Sequence, residues 1–421
     1  MRIVVIGAGV MGTTTAYFLA EAGHQVTVVD RAPEPAAECS FANGAMLHAS
    51  HTEPWNSPAA IGQLLRWIGR EDSPLLLRPS QIPSLVGWGL GFLRHSLPAR
   101  HRASTLVNTR LAVYSQQVLD QLLSRLSLDF DHRPCGILKV FRSAAELDAA
   151  ARVSELIASR GVRFELVDAA RMVELEPAFA PVRDQLEGGI FYPDDAVGDT
   201  QAFTAALARR ARELGAEFRM DTVVRGLNLG PQGVGEALTE AGPLAAERFV
   251  LAAGAQAGRL ARPLGLRLPI RPVKGYSATL PRAGLPGAPV QPYIDDARKV
   301  VVTPLGEQLR LAGTAEFAGF DDAVNERRVG TVMRQALELL PEYRAAVAGT
   351  APTPWACLRP MTVDGPPILG PTRLPNLFLN AGSGHLGWTF AAGAGRLVAD
   401  LVIGREPELD LEGLTLTRFG G

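Results

Sequence analysis

The sequence predicts an α/β protein in which a Rossmann-like dinucleotide-binding domain is interrupted by an inserted α+β domain. The first observation is a short β-branched strand at residues 3–6, which runs into a glycine turn and then a helix. The second is a strand–loop–helix unit near the other end of the chain, where residues 377–380 precede a glycine loop and a helix to residue 403. Because the parallel sheet begun at the N-terminus is completed only at the C-terminus, the segments in between are predicted to form the second domain.

The N-terminal glycine turn reads Gly7-Ala-Gly9-Val-Met-Gly12 and has the expected strand before it and helix after it. Gly7 permits the tight turn, Gly9 allows the backbone to approach a pyrophosphate, and Gly12 allows the helix to pack closely. The helix N-terminus supplies amide donors and positive potential. Asp30 closes the second strand 18 residues after Gly12, near the usual spacing for a carboxylate that binds ribose hydroxyls. An ordinary glycine turn is the alternative, and the motif alone does not distinguish NAD from FAD.

Composition excludes several classes of function. The 421 residues carry 42 Lys+Arg against 43 Asp+Glu, so no broad basic surface is available for nucleic acid. Cys39, Cys135 and Cys357 stand alone in the sequence, which predicts neither a disulfide framework nor a zinc site and favours a reducing compartment. No signal peptide or run of about 18 apolar residues is found, so a cytoplasmic protein without a membrane span is expected. Lysine occurs only at Lys139, Lys274 and Lys299.

Hydrophobic periodicity assigns the remaining elements. Helices are predicted at residues 103–126, 144–159, 200–214 and 329–340, and strands at residues 136–141 and 189–192. Further strands of the dinucleotide-binding domain are predicted at residues 218–227 and 248–252, and an antiparallel sheet of the inserted domain at residues 271–280, 299–303 and 308–313. This division assigns to the dinucleotide-binding domain residues 1–56, 188–262 and 363–421. It assigns to the substrate-binding domain residues 57–187 and 263–362.

Motifs spread along the chain indicate one family. Besides the N-terminal fingerprint they are Ser40-Phe-Ala-Asn-Gly44, Ser50-His-Thr-Glu-Pro-Trp55, Pro272-Val-Lys-Gly-Tyr-Ser277, Leu358-Arg-Pro-Met-Thr-Val-Asp-Gly365 and Gly382-Ser-Gly-His-Leu-Gly-Trp-Thr389. With these residues the sequence resembles the D-amino acid oxidase superfamily of FAD enzymes, which includes glycine and sarcosine oxidases. It is most similar to the bacterial D-amino acid dehydrogenase (small subunit) branch. One loop departs from that branch, because Ala45-Met46 and His48 stand where Gly-Gln and Ser are expected, beside the flavin ring.

The resemblance implies a glutathione-reductase-like domain that holds FAD non-covalently, and it identifies cofactor-binding positions. These positions are Gly7, Gly9, Val10, Met11, Gly12, Asp30, Arg31, Ser40, Asn43, Gly44, Val224, Ala253, Gly254, Gly384, His385, Leu386, Gly387, Trp388 and Thr389. Val224 matches the position whose backbone faces adenine, although a buried strand valine is an equally simple reading. Ser40 and Asn43 either contact the cofactor or cap their own loop.

The loop at residues 382–389 has a physical reason to lie against a flat ring. Its small residues allow the backbone to pass close, and the helix that follows points its N-terminal amides at whatever lies there. Those dipoles would stabilise the negative charge of a reduced flavin. The alternative is a plain strand-to-helix turn.

Arg359 is the first candidate for a catalytic role. Its planar guanidinium can pair with a carboxylate through two hydrogen bonds, and the proline after it restricts the backbone that presents it. In the resembled family this position binds the α-carboxylate of the substrate. A structural ion pair with Asp364 is the alternative. Tyr276 is the second candidate for orienting the carboxylate, with a structural hydroxyl as its alternative, and His51 is a candidate for direct contact in the pocket. No metal ligand set is predicted.

The implied reaction is oxidative deamination in amino acid catabolism. A hydride passes from the substrate to flavin N5, and the imino acid is hydrolysed to a 2-oxo acid and ammonia. The alternatives are a dehydrogenase of D-proline or hydroxyproline-type imino acids, an oxygen-using amino acid oxidase, an FAD subunit that only relays electrons, and an NAD-linked dehydrogenase. Lys274 lies either near the flavin or on the surface.

The expected partners are a small amino acid substrate and a quinone or other respiratory electron acceptor. Aliphatic and aromatic residues with arginines among them suggest peripheral contact with the inner face of the cell membrane. They occur at Leu64–Ile68, Leu75–Leu77 and Leu85–Leu93, with Arg66, Arg70, Arg78 and Arg94. The alternative is that these residues belong to the core of the substrate-binding domain.

Overall fold

The structure is a computed structural model that describes residues 1–58, 71 and 73–420. The strands are β1 Arg2–Ile6, β2 Gln25–Val29, β3 Met46–Leu47, β4 Leu75–Leu77, β5 Ile137–Phe141, β6 Glu165–Val167, β7 Gly188–Tyr192, β8 Ala196–Val197, β9 Glu217–Arg219, β10 Val224–Gly230, β11 Gly233–Thr239, β12 Gly242–Ala245, β13 Arg248–Leu251, β14 Ile270–Pro281, β15 Tyr293–Asp295, β16 Val300–Leu305, β17 Gln308–Phe317, β18 Thr353–Thr362, β19 Ile368–Pro371 and β20 Leu377–Ala381.

The α-helices are α1 Val10–Glu21, α2 Ile82–His95, α3 Pro98–Arg125, α4 Ala144–Ala158, α5 Ala169–Leu175, α6 Thr200–Glu213, α7 Ala257–Ala261, α8 Glu326–Ala336, α9 Pro341–Ala346 and α10 Gly387–Ile403. Short 3-10 segments lie at Pro79–Gln81, Pro177–Gln185, Gly254–Gln256, Arg262–Leu264, Leu337–Leu339 and Leu416–Phe419. None of the helices in the described part of the chain is both long and apolar enough to cross a membrane.

The first large sheet has the strand order β19-β20-β13-β1-β2-β9. Its strands pair in parallel, except that β19 runs antiparallel to β20 at the edge. β1 is central and almost wholly buried, as its run of β-branched residues requires in a sheet covered on both faces. Helices α1 and α10 pack together on this sheet, with α3 and α6 beside them, and their apolar residues form one continuous core.

The second large sheet has the order β18-β14-β17-β16-β15-β5-β7-β6, with β4 added beside β17. Most of its pairs are antiparallel, while β15–β5 and β4–β17 are parallel. Helix α8 packs on one face of this sheet and shares a second apolar core with it. An inserted domain that contains an antiparallel sheet is therefore confirmed, as is the α/β fold class.

The two large sheets are joined next to the predicted glycine loop. Met361 of β18 forms an isolated antiparallel bridge with Ser383, and the Gly384 amide donates to the Pro360 carbonyl at 3.0 Å. A strand of the second sheet is thereby fixed to the loop that follows β20 of the first sheet.

One predicted strand differs from the structure. The single strand predicted at residues 218–227 was wrong: β9 belongs to the parallel sheet and β10 to a separate antiparallel sheet with β11 and β12. Asp221 separates them because its φ of 49° is a left-handed turn conformation, which a continuous strand cannot contain. The predicted domain ranges remain a prediction, although β7, assigned to the dinucleotide-binding segment, pairs in the second sheet. The membrane-facing residues predicted at 64–68, with Arg66 and Arg70, lie outside the described residues.

Candidate active site

A cavity of about 1350 Å³ is lined by residues of both large sheets. All three predicted catalytic residues, Arg359, Tyr276 and His51, line it. Of the predicted cofactor-binding residues, those that line it are Gly7, Gly9, Val10, Met11, Asp30, Arg31, Ser40, Asn43, Gly44, Val224, Ala253, Gly254, Gly384, His385, Gly387 and Trp388. Gly12, Leu386 and Thr389 lie behind this lining. The positions predicted from opposite ends of the sequence therefore meet around one space, and their individual contacts with a ligand remain a prediction.

The glycine turn forms one end of the cavity. Gly7 has a φ of +114°, and a Cβ at Gly12 would lie 1.9 Å from the Gly7 carbonyl oxygen, so α1 starts in direct contact with the turn. The Val10 amide at the start of α1 donates to Ser40 Oγ at 3.0 Å. Asp30 ends β2 and accepts hydrogen bonds from the Ala8 and Ala32 amides at 2.6 and 2.9 Å. This end combines a helix N-terminus, a hydroxyl and a carboxylate, which are the groups that bind a pyrophosphate and a ribose.

The loop that contains Asn43 is held by its own hydrogen bonds. Asn43 Oδ1 accepts from the Ala45 amide and from Thr200 Oγ1, both at 2.9 Å. Ala45 has a φ of 57°, and Thr303 Oγ1 donates to the Gly44 carbonyl at 2.7 Å. The Asn43 side chain therefore shapes the loop, while the loop backbone lines the cavity.

The loop before α10 forms a further wall. The Trp388 indole donates from Nε1 to the Gly198 carbonyl at 3.1 Å, and its ring packs against Phe130 and Phe203. Thr389 Oγ1 accepts from the His48 amide at 3.3 Å. The large side chains of this segment therefore anchor it in the core, and the small residues Gly384 and Gly387 leave the backbone of the loop facing the cavity.

Arg359 projects from β18 into the cavity. Its guanidinium lies directly over the backbone of β14, because a Cβ at Gly275 would be 2.3 Å from Arg359 Cζ. Nη1 donates to the Thr314 carbonyl at 3.2 Å, and Cζ lies 5.5 Å from the centre of the Trp55 ring. Burial lowers the pKa of the guanidinium, and the nearby Cys357 and Cys39 thiols oppose that effect. The side chain is held on three sides and open on the side of the cavity.

The structural ion pair considered for Arg359 is absent from the described part of the chain. Asp364 instead pairs with Arg418, whose Nε and Nη2 donate to its two carboxylate oxygens at 2.7 and 3.2 Å. No acidic residue among those described forms an ion pair with Arg359. A guanidinium has five donors, and with the described residues Arg359 forms one side-chain hydrogen bond, so its remaining donors are available to a ligand.

Three histidines line the cavity beyond Trp55. The Trp55 and His385 rings stack with centroids 5.3 Å apart, and His51 lies 6.2 Å from His385 and 5.7 Å from His48. Burial lowers the pKa of His48 to about 4 and that of His385 to about 3, and it also lowers the pKa of His51. All three rings are therefore neutral near pH 7. His48 Nδ1, His51 Nδ1 and His385 Nε2 are buried, and within the described structure they lack a hydrogen-bond partner.

Tyr276 lines the cavity but directs its hydroxyl away from Arg359. The hydroxyl donates to Glu316 Oε2, and Glu316 Oε1 accepts from Arg78 Nε at 2.7 Å. Burial raises the pKa of Tyr276, and its hydrogen bond to Glu316 raises it further. The phenol is therefore neutral, and its hydroxyl proton is donated to Glu316 and not to a ligand in the cavity. Its carboxylate-orienting role remains a prediction.

Two lysines take positions that the sequence did not predict. Lys274 is 2% exposed and donates to Asp321 Oδ2 at 2.7 Å and to the Ala323 carbonyl at 2.9 Å, in a separate pocket. It lies neither on the surface nor in the cavity that contains Arg359. Lys139 does line that cavity, with its ammonium 3.1 Å from Asp296 Oδ1. A cation in the otherwise apolar strand β5, in a chain with three lysines, was the signal that could have identified it.

The cavity suits FAD better than a metal. Its glycine end, with the α1 N-terminus, Ser40 and Asp30, fits a dinucleotide, and the loop at residues 382–389 provides a narrow wall for a flat ring. Among the described residues, no three His, Cys, Asp or Glu side chains are placed to hold a metal ion.

Comparison with known proteins gives the same result along the whole chain. The family model described as DAO, FAD dependent oxidoreductase, matches residues 2–401. A D-amino acid dehydrogenase from Paramagnetospirillum magneticum is 44% identical over 420 residues, which cover 100% of this chain and 99% of that protein. A D-amino acid dehydrogenase from Dechloromonas aromatica is 42% identical over 413 residues, which cover 97% and 98%.

Solved structures agree in fold. A glycine oxidase from Geobacillus kaustophilus superimposes with a TM-score of 0.77 at 25% identity, over 99% of both chains. An L-proline dehydrogenase from P. horikoshii superimposes with a TM-score of 0.77 at 19% identity, over 100% of this chain and 97% of that protein. The predicted FAD-binding fold with an inserted substrate domain is confirmed. The chain therefore belongs to the family of FAD-dependent oxidoreductases, and FAD is its cofactor.

Proposed function

We propose that this chain catalyses the FAD-dependent oxidative deamination of D-amino acids to 2-oxo acids and ammonia. The observation that carries the proposal is Arg359, a part-buried cation that faces the cavity with no ion-pair partner among the described residues. A cation in that situation requires an anionic ligand. The full-length relatives that are named D-amino acid dehydrogenase support an amino acid as that ligand.

Arg359 positions the substrate through its carboxylate. A planar guanidinium pairs with a carboxylate through two parallel hydrogen bonds, which fixes the orientation as well as the position of the substrate. Gly275 beneath it and Trp55 beside it restrict the guanidinium before the substrate arrives, so little side-chain freedom is lost on binding. Orientation of this kind can contribute several kcal/mol to a reaction, up to about 7–11 kcal/mol in favourable cases.

The histidines provide a neutral environment for the amino group. Because His48, His51 and His385 are uncharged near pH 7, they do not repel a substrate amine as imidazolium rings would. We propose that His51, whose side chain lines the cavity, contacts the bound substrate.

FAD, when bound, supplies the hydride acceptor. The substrate loses a hydride from Cα and a proton from its nitrogen, which leaves an imino acid that water converts into a 2-oxo acid and ammonia. The side chains of the site orient the substrate and exclude bulk water, and none of them has to form a covalent bond to it.

The proposal is tested by mixing the purified holoenzyme anaerobically with D-amino acids, L-amino acids and proline analogues. Loss of the oxidised flavin absorbance with D-amino acids is expected. Reduction only by proline analogues would favour the imino acid dehydrogenase, and reduction only by L-amino acids would overturn the stereochemistry. If no amino acid reduces the flavin, the chain relays electrons and is not itself the deaminase. Oxygen consumption during aerobic turnover would identify an oxidase.

We further propose that a membrane quinone accepts the electrons. Helix α2 forms a wall of the cavity through Leu85, Trp88 and Phe92. The same helix exposes the apolar side chains Ile82, Val86, Leu90 and Leu93, and Leu97, two residues after its end, is exposed as well. An apolar helical stripe of this kind can lie in the interface of a bilayer, where a quinone would reach the cavity wall.

Sedimentation with lipid vesicles tests the membrane contact. We expect the wild-type holoenzyme to bind vesicles, and we expect the double variant Val86→Asp, Leu90→Asp to remain in the supernatant with its flavin reduction by D-amino acids intact. Equal partitioning of the two proteins would exclude this surface as the membrane contact.

A further inference from the structure

A polar recess lies in the same cavity on the side of β5 and the loop after β15. Lys139 is 7% exposed, and its ammonium lies 3.1 Å from Asp296 Oδ1. Asp296 Oδ2 is 2.9 Å from Lys299 Nζ, so one carboxylate is shared by two ammonium groups. Glu53 lines the cavity as well. The charges of this recess nearly cancel, and its polar groups are packed next to the apolar residues Met46, Ile294 and Val301.

The Lys139 ammonium has hydrogen-bonding capacity to spare. It carries three N–H donors, and Asp296 is its one ion-pair partner within the described ranges. Burial disfavours the charged form, but Asp296 and Glu53 outweigh burial, so the pKa of Lys139 lies above its ordinary value. A charged donor group is therefore present at a cavity wall, and among the described residues the Asp296 carboxylate is its one ion-pair partner.

His48 and His51 complete the recess. Lys139 lowers the pKa of both rings in addition to the larger effect of burial, which is consistent with their lying near the ammonium. His48 is 8% exposed, and its Nδ1, like that of His51, has no hydrogen-bond partner in the part of the chain that the structure describes. Buried polar atoms of this kind are normally paired. Lys139 from one segment and His48 and His51 from another therefore line one space, and none of them belongs to the glycine end that fits the dinucleotide.

We propose that Lys139, His48 and His51 form the pocket for the substrate side chain and select D-amino acids whose side chain ends in an oxygen acceptor, such as an amide or a carboxylate. The proposal deepens the function given above and rests on it, since Arg359 must hold the α-carboxylate at the other side of the cavity. An aliphatic side chain would offer no acceptor to the spare donors of the ammonium, and sites built from buried polar groups reject ligands that cannot pair with them.

Binding of unreactive acids tests the pocket independently of turnover. Succinamate, succinate and isocaproate share one carboxylate and a similar branched shape, but isocaproate lacks oxygen at the far end. Their dissociation constants are measured on the holoenzyme from the perturbation of the flavin absorbance. We expect succinamate or succinate to bind at least about tenfold more tightly than isocaproate. We expect Lys139→Met to reduce that ratio to about threefold or less, because Asp296 remains paired with Lys299 while the donor is lost.

Matched variants separate a direct contact from a general effect of charge. Lys299→Met removes the other, nearly half-exposed partner of Asp296 and is expected to keep most of the ratio. Lys139→Arg keeps a cation and is expected to keep part of it. The proposal is overturned if isocaproate binds as tightly as both oxygen-bearing acids, or if Lys139→Met leaves the ratio unchanged. It is also overturned if Lys299→Met lowers the ratio as much as Lys139→Met does.

Turnover gives the second readout. The ratio of kcat/KM for D-asparagine to that for D-leucine, which have the same shape, is expected to exceed about tenfold and to fall in Lys139→Met. Turnover of both substrates at equal kcat/KM would refute the pocket while leaving the deaminase function intact. Failure of every D-amino acid to reduce the flavin would instead refute the proposed function, and the binding ratios would still decide the assignment of the pocket.

Discussion

Two arginines, one in strand β18 of the second sheet and one in helix α8 that packs on that sheet, are used in opposite ways. Arg328 of α8 is fully buried, and its guanidinium donates to the carbonyls of Glu71, Ser73 and Ala315 at 2.7, 2.7 and 3.0 Å. Arg359 of β18 donates once, to the Thr314 carbonyl, and otherwise faces the cavity. The neighbours of Arg328 include Tyr276, Glu316 and Arg78, which bond to one another. Near Arg359 lies His385, whose Nε2 has no partner in the described part of the chain.

The difference shows how a ligand site can be recognised without its ligand. Both terminal nitrogens of Arg328 are paired with backbone carbonyls, so the cation stabilises the fold, and within the described residues its Nε alone lacks a partner. Near Arg359, His385 Nε2 and Thr314 Oγ1 have no partner among the described residues, and most donors of the guanidinium face the cavity, an arrangement that is costly unless a ligand pairs with it. The two arginines therefore differ in how much of their hydrogen bonding the protein supplies.

The largest effect is expected for Arg359→Met. Loss of the carboxylate contact should lower kcat/KM for D-amino acids by about a thousandfold, because both charge pairing and orientation are removed. The melting temperature and the FAD content should stay close to wild type, since no ion pair within the described structure is broken. Steady-state kinetics and flavin absorbance measure the two quantities. Loss of FAD or of folding would make Arg359 structural and remove the contrast with Arg328.

Arg328→Met should show the reverse pattern. Three carbonyls lose their donor, so the free energy of unfolding should fall by about 3 kcal/mol. The activity of each molecule that remains folded should change little. Thermal unfolding followed by calorimetry, together with kcat per bound flavin, checks both statements. A variant as stable as the wild type would show that these carbonyls find other partners.

Gly275→Ala tests whether the position of the Arg359 guanidinium above β14 matters for activity. The new methyl group would lie 2.3 Å from Arg359 Cζ, so the guanidinium must move. We expect kcat/KM to fall by about ten- to a hundredfold, with stability less affected. Gly226→Ala is a matched control, because a Cβ there meets nothing within 4 Å. If Gly275→Ala retains full activity, the position of the guanidinium is not critical.

The pH dependence of stability probes the unpaired histidines. His48 takes up a proton near pH 4 in the folded protein but near pH 6.5 as an ordinary histidine. Between these values the unfolded chain binds more protons, so the free energy of unfolding falls as the pH drops from 6.5 to 4. We expect His48→Gln to remove about 1–3 kcal/mol of this decline. Parallel pH profiles of wild type and variant from thermal unfolding would contradict the assignment.

The smallest effect is expected for Tyr276→Phe. Its hydroxyl donates to Glu316 on the side of Arg328, so its loss should cost about 1 kcal/mol of stability and lower kcat/KM by less than about fivefold. Steady-state kinetics with D-alanine provides the measurement. A loss as large as that of Arg359→Met would support the carboxylate-orienting role predicted for Tyr276. Tyr276 would then act with Arg359 on the substrate and not with Arg328 in the fold.

The dinucleotide end of the cavity could be predicted from the sequence because the residues that form it are close together in the chain. Gly7 and Gly12 are needed for a turn and a close contact between neighbouring segments, and Asp30 ends the adjacent strand. The fold class followed from the same strand–turn–helix pattern. Arg359 was also predicted, since its Arg-Pro context lies in a motif of the resembled family.

The polar recess around Lys139 could not be predicted from the sequence in the same way. Lys139, Asp296 and His48 come from three distant segments, and nothing in the local sequence of any one of them shows that the other two are near. The direction of the Tyr276 hydroxyl depends on Glu316, which is placed by the pairing of β14 with β17. The split of the strand predicted at residues 218–227 depends on the backbone conformation of Asp221, which a non-glycine residue rarely adopts.

The bridge between Met361 and Ser383 bears on how this enzyme could be re-engineered. It couples the strand that presents Arg359 to the loop that leads into α10, so a shift of either element is passed directly to the other. Exchanging the substrate half with that of a relative should therefore succeed only when residues 357–388 are transplanted as one cassette. A graft that cuts between them would misalign the two reactants even if both halves fold.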